Sequence, residues 1–197
     1  MSDDNRARIL DLAVAAIDAG GEAAIRVNHI VAEVGCTPPV LYYHFGSRDG
    51  LVIAAQVERY ARRSRIDLVA IERTVSVCET REELRETMLA TWRSVIAERR
   101  SSRWVRISAM GSAYARPELA AAIAEAQDEL IVEMVRIFEP FRERGWFRPD
   151  IDLTTAFAWQ HSVLIGRTSA EQGEKAVDLD EWDRLTLEAF ERAFFGS

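Results

Sequence analysis

Apolar residues recur along this chain at helical spacing from one end to the other. Leu10, Ala13, Val14 and Ile17 fall at i, i+3, i+4 and i+7, one face of a helix. Gly20-Gly21 supplies its stop. Val27, Ile30, Val31 and Val34 repeat the spacing before Gly35. Thr37-Pro38-Pro39 then has the form of a cap with proline in the first turn, where a missing N–H costs nothing. It predicts a short helix over about 38–45. Gly46 breaks the pattern, and Ser47 is the expected cap of a long helix to about Glu72. Leu84, Met88, Trp92 and Val95 predict a helix over 81–98, followed by a shorter apolar one over 101–113. Pro117 starts a longer helix through Leu119, Ile123, Ala126, Leu130 and Phe138, with Pro140 and Gly145 expected to punctuate its end. Asp152 opens another, with Phe157, Trp159 and Leu164. Residues 169–180 read as a polar loop, and Asp180 as the cap of a last helix. No strand pattern, repeat or low-complexity segment interrupts this order, so the expected fold is all-α with about nine helices.

Composition narrows the class. The 197 residues are 48% apolar and 29% charged, a globular balance that argues against disorder. The apolar runs fall well short of the roughly 20 residues that span a bilayer, so no membrane partner is expected. Met1-Ser2-Asp3-Asp4-Asn5-Arg6 is too polar for a secretory signal. Cys36 and Cys78 match no zinc spacing, and two cysteines make no disulfide scaffold, which points to the cytoplasm. The net charge of −7 means that any nucleic-acid site must be local and must overcome a repulsive overall field.

Residues 27–48 form the pattern that carries chemistry. Two short helices joined by a tight glycine turn, with a first helix behind them, make a helix-turn-helix. Leu41 and Phe45, at i and i+4, suit the inner face of the second helix. Thr37, Pro38, Tyr42, Tyr43 and His44 then lie toward the outside. Tyrosine hydroxyls there could bond phosphates, and the rings could pack on sugar or a thymine methyl. Each tyrosine alone would fit the rim of a helical bundle equally well; the set, on so short a helix after such a turn, favours a groove reader.

Val34-Gly35-Cys36-Thr37-Pro38-Pro39-Val40-Leu41-Tyr42-Tyr43-His44-Phe45-Gly46-Ser47-Arg48-Asp49-Gly50-Leu51 resembles the N-terminal domain of the tetracycline-repressor (TetR) family of bacterial transcription regulators. The resemblance extends over residues 6–53, about a quarter of the chain. It implies an N-terminal three-helix DNA-binding domain, drawn here as 1–50, and a helical effector-binding and dimerisation domain over 51–197. It further implies that Thr37, Pro38, Tyr42, Tyr43 and His44 face double-stranded DNA, with Tyr42 and His44 on the backbone and Arg48 on a phosphate. Arg26 stands where the family has a Ser or Thr cap; it joins the set as a phosphate contact, and Asn28 is the substitute cap. Pro38 and Pro39 replace polar base readers, which shifts the weight to phosphates, methyl contacts and DNA shape. Residues 1–50 hold four arginines and no lysine against seven carboxylates, a net charge of −3. Binding is therefore expected to be modest, salt-sensitive and dependent on dimerisation.

The resemblance also places a small-molecule effector pocket among the middle helices. Met88, Trp92, Trp104, Met110, Tyr114, Met134, Phe138 and Trp159 are the candidate lining, with His161 and Gln160 as polar anchors. Each is by default a core residue, and the expected ligand is small and apolar or aromatic. Arg99, Arg100, Arg103 and Arg106 form one basic cluster and Arg59, Arg62, Arg63 and Arg65 another. These read as helix faces paired with acids, or, for the first, as a seat for an anionic effector group. Phe157, Leu164, Trp182, Leu185, Ala189, Phe190 and Ala193 exceed what a monomer covers easily, and are the candidate homodimer interface. A two-fold dimer would read a palindromic operator. No Glu-x-x-His pair, phosphate loop, dinucleotide fingerprint or zinc motif occurs, so no enzyme activity, cofactor or metal is expected. The alternative reading is a helical ligand-binding or protein-interaction module without DNA binding.

Overall fold

The computed structural model describes residues 2–173 and 176–196. Among these there is no strand. The helices are α1 (Ser2–Gly20), α2 (Val27–Val34), α3 (Pro38–Phe45), α4 (Arg48–Val75), α5 (Arg81–Glu98), α6 (Arg100–Ala113), α7 (Pro117–Glu143), α8 (Leu153–Glu171) and α9 (Leu179–Phe195), with a 3₁₀ turn over Glu22–Ala24. They fall into two compact units. One runs to Arg62 and includes Ala109–Ala124; the other comprises Arg63–Ser108 and the chain from Glu125 onward. The sequence suggests a division at residue 50, whereas α4, α6 and α7 each have residues in both units.

The first unit is built on α1, α2, α3 and the start of α4. Ile9, Ala13, Ile25, Ile30, Leu41 and Leu51 are almost wholly buried and share one core. Gly35 ends α2 in the left-handed region, φ 78° and ψ 33°, where a β-carbon would be strained. Ser47 caps α4 as its sequence suggests, its Oγ accepting the Gly50 N–H at 2.9 Å. At Gly50 a β-carbon would fall 2.0 Å from the Phe45 carbonyl oxygen, so glycine alone lets α3 end this close to α4. Arg59 pairs with Asp18 and Arg62 with Asp11, each at 2.7 Å.

The second unit has its own core, rich in aromatic contacts. Trp92 meets Phe190 and Phe194 at 5.2 Å between centroids, and Phe138 meets Phe157 at 5.0 Å. α9 packs on α5 and α8. A capping box of Thr80 and Glu83 starts α5, and Arg81 donates to the carbonyls of Trp146 and Phe195.

Several local expectations need correction. Thr37 occupies the cap position of α3 but makes no side-chain cap bond: Pro39 has no N–H to offer, and the Val40 N–H donates to the Thr37 carbonyl at 3.0 Å. At α2 the cap position is Arg26, again without a side-chain bond, and Asn28 lies inside the helix. α9 is capped by Asp178, which accepts from the N–H groups of Asp180 and Glu181. Pro140 does not end α7; it sits in the last turn, and the helix stops at Glu143 ahead of Gly145 at φ 72°. α8 reaches Glu171, three residues into the expected loop; Glu174 and Lys175 of that loop lie outside the described residues.

Candidate functional site

The outer face of α3 begins with an unused hydroxyl. Thr37 and Pro39 are exposed, Pro38 and His44 are half-buried, and Leu41 turns fully inward. Tyr42 is 43% exposed and Tyr43 82% exposed. Tyr43 touches His44 edge to face at 5.2 Å, which steadies the ring without covering it. A large aromatic group this bare costs free energy in water and suits a partner with phosphate, sugar and methyl groups. Arg26, Asn28 and Arg48 are exposed beside it.

Arg48 has a second task. Its Nη2 donates to the Glu22 carbonyl at 2.7 Å and its Nε to that of Ile25 at 3.2 Å. The guanidinium thus ties the 3₁₀ turn to the start of α4, and only the rest of its N–H groups are left for a phosphate. The Glu22 carboxylate accepts from Gln56 Nε2 at 2.8 Å, from Ser112 Oγ, and from Arg116, whose Nη2 lies 3.0 Å away. Arg116 also donates to Asp49 at 3.0 Å. Burial pushes the Glu22 carboxyl upward, but the hydrogen bonds from Ser112 and Gln56 and the charge of Arg116 outweigh it and hold the group below its usual range. The sequence offers no periodic signal for this cluster, since its members lie on four separate elements.

The second unit holds a cavity of about 100 Å³ lined from α4, α5, α6, α7 and α8. Met88 and Trp92 face it from α5, Met134 and Phe138 from α7, and His161 from α8. These five belong to the expected lining. Trp104, Met110, Tyr114 and Trp159 do not line it: Tyr114 is 96% exposed, Met110 45%, and Trp159 lies against Phe190. Their positions on α6, beyond it and on α8 turn them to the outside, a distinction that apolar content alone does not make. Phe157 and Leu164, expected in a dimer interface, are buried and line the cavity instead; Phe190 is fully buried in the core.

The polar part of the lining was only partly anticipated. Arg99 reaches it from the end of α5, Arg103 and Arg106 from α6, and Asp67 from α4. Asp67 accepts from Arg99 at 2.5 Å, from Arg63 at 2.9 Å and from Arg106 at 3.3 Å. Arg103 donates to the Val95 and Ile96 carbonyls at 2.8 Å, satisfying the end of α5, and pairs with Glu171. Burial, joined by the positive charge of Arg106, pushes His161 down to about 3, so its imidazole is neutral at pH 7. Gln160 is buried in the lining, and its Oε1 has no hydrogen-bond partner.

The outer faces of α8 and α9 are also distinctive. Thr155, Trp159, Ser162, Gly166 and Ser169 are all exposed at helical spacing, and none is charged. On α9, Leu185 is 53% exposed, Ala189 is exposed, and Trp182 and Ala193 are half-buried.

Residues 9–55 match the family model of the bacterial regulatory proteins of the tetR family. No curated protein sequence matches the chain. Among solved structures, one from Mesorhizobium loti, assigned to the TetR-family transcriptional regulators, shares 18% identity at TM-score 0.75, covering 99% of this chain and 98% of that one. A regulator from Saccharomonospora viridis in complex with choline shares 16% identity at TM-score 0.64, covering 98% of each chain. A SmeT–triclosan complex shares 24% identity at TM-score 0.61, covering 98% of this chain and 92% of that one. At these identities the likeness shows a common fold. No helix among the described residues is long and apolar enough to cross a membrane. Residues 9–55 thus match the N-terminal domain of the bacterial regulatory proteins of the tetR family, and the whole chain shares the fold of these structures.

Proposed function

We propose that this chain is a repressor that binds a palindromic operator as a homodimer and is released by a small molecule with an apolar or aromatic body. The observation that carries this reading is Tyr43, 82% exposed on a short helix presented by a left-handed glycine turn. Thr37, Pro38, Tyr42, Tyr43 and His44 would meet the major groove, with Arg26, Asn28 and the free N–H groups of Arg48 on phosphates. The uncharged outer face of α8, with open space at Gly166, and the Leu185–Ala189 stripe of α9 would pair with their copies in a four-helix bundle. The cavity would hold the effector, as related structures hold choline and triclosan. The effector would favour a dimer whose two reading helices no longer match successive major grooves.

The operator can be selected from random DNA. Tyr43→Ala is then expected to weaken its binding about tenfold while leaving the oligomeric state unchanged, read by gel shift and sedimentation. Equal loss of binding and dimerisation would reject the role of Tyr43. No DNA protection by a folded dimer at low salt would leave a ligand-binding module in its place.

A further inference from the structure

We propose, on the reading of the cavity as an effector site, that its ligand is an organic anion, with its apolar body against Trp92, Phe138 and Phe157 and its acidic group at the Arg99–Arg106 end beside Gln160. Three observations lead there. The first is a charge imbalance. Asp67 alone receives Arg63, Arg99 and Arg106. Glu171 receives Arg100, Arg103 and Arg167, and Asp183 also pairs with Arg167. Among the described residues that line the cavity, three guanidiniums, Arg99, Arg103 and Arg106, stand against one carboxylate, Asp67, and the Arg103 and Arg106 side chains are less than 10% exposed. Sequestered positive charge of this kind is costly without a counter-anion. Arg99 and Arg106 both line the cavity, where such an anion would enter.

The second observation is Gln160. It is 7% exposed, lines the same cavity, and its Oε1 is buried without a partner. An unmatched buried carboxamide marks a place where a ligand group belongs, and it is by turning its NH2 group, not this oxygen, toward the cavity that Gln160 would donate to an anion. The third is size and lining. Where one water needs roughly 10–15 Å³, a cavity of about 100 Å³ takes a body of roughly seven to ten non-hydrogen atoms. The neutral His161 adds no charge of its own, so the positive field at this end comes from arginine.

The test uses the full-length protein and calorimetric titration at pH 7.5 with benzoate, phenylacetate and octanoate, each beside the alcohol of the same carbon skeleton. At least one carboxylate is expected to bind ten times more tightly than its alcohol. Arg99→Gln, at a side chain 28% exposed and therefore tolerant of change, is expected to cut carboxylate affinity about tenfold and leave the alcohol within twofold. Gln160→Leu is expected to raise the thermal midpoint of the unliganded protein while weakening the carboxylate. Alcohols that bind as tightly as acids, or an acid preference that survives Arg99→Gln, would overturn the anion and leave the cavity as an effector site. Binding of neither class would overturn both.

Discussion

His161 carries a proton in the unfolded chain below pH 6.5, but burial and the neighbouring Arg106 deny it that proton in the fold until about pH 3. Between those values the unfolded state holds more protons, so stability falls as pH falls, by about 1.4 kcal/mol per unit. Urea unfolding of the wild type is expected to lose about 2 kcal/mol more between pH 6.5 and pH 5 than unfolding of His161→Asn. Equal losses would show that His161 titrates freely. Single residues also mark where sequence patterns stop informing. Thr37 has the type and place of a cap, yet Pro39 removes one of the donors it would bind and the other, the Val40 N–H, goes to the Thr37 carbonyl. Its hydroxyl is thereby left for another partner.

Helix faces were legible where burial follows the period and were not where two environments compete for the same residue type. α3 begins and ends where its proline and glycine signals put it, and α5 spans the stretch its apolar period marks out. On α8, Phe157 and Leu164 share a face with the core, while Trp159 and Ser162 share one with the outside. Aromatic content gave no means to sort the first pair from the third residue; only the packing of α5 and α9 against α8 does so. The outward face that remains, uncharged on α8 and bearing Leu185 on α9, is what the proposed dimer must cover. Leu185→Arg is expected to raise the dimer dissociation constant roughly a hundredfold, since an unpaired charge in a buried interface costs several kcal/mol. Because Leu185 is 53% exposed, helicity should not change. Sedimentation and circular dichroism check both parts, and an unchanged dimer would move the interface elsewhere.

The whole molecule carries a net charge of −7, and DNA repels it at long range. Attraction must come from a few groups at the reading surface, Arg26 and Arg48 in each copy. Each phosphate neutralised contributes about −0.9 to the slope of log affinity against log salt. A dimer is therefore expected to show a slope of about −4, and Arg26→Gln one of about −2. A slope unaffected by Arg26→Gln would exclude that residue from the phosphate contacts. The acidic composition was plain in the sequence; its internal use was not. Arg59, Arg62 and Arg116 each hold carboxylates of the first unit, pairings that join distant stretches of chain and have no local pattern.

Ser112 and Arg116 lie far downstream in the chain, yet they grip Glu22 and Asp49 beside the helix-turn-helix. Anyone wishing to transplant the reading head onto a foreign sensor by cutting after Arg62 would leave those two acids stranded, without their cation. A workable chimera has to carry the 109–124 stretch along with the head.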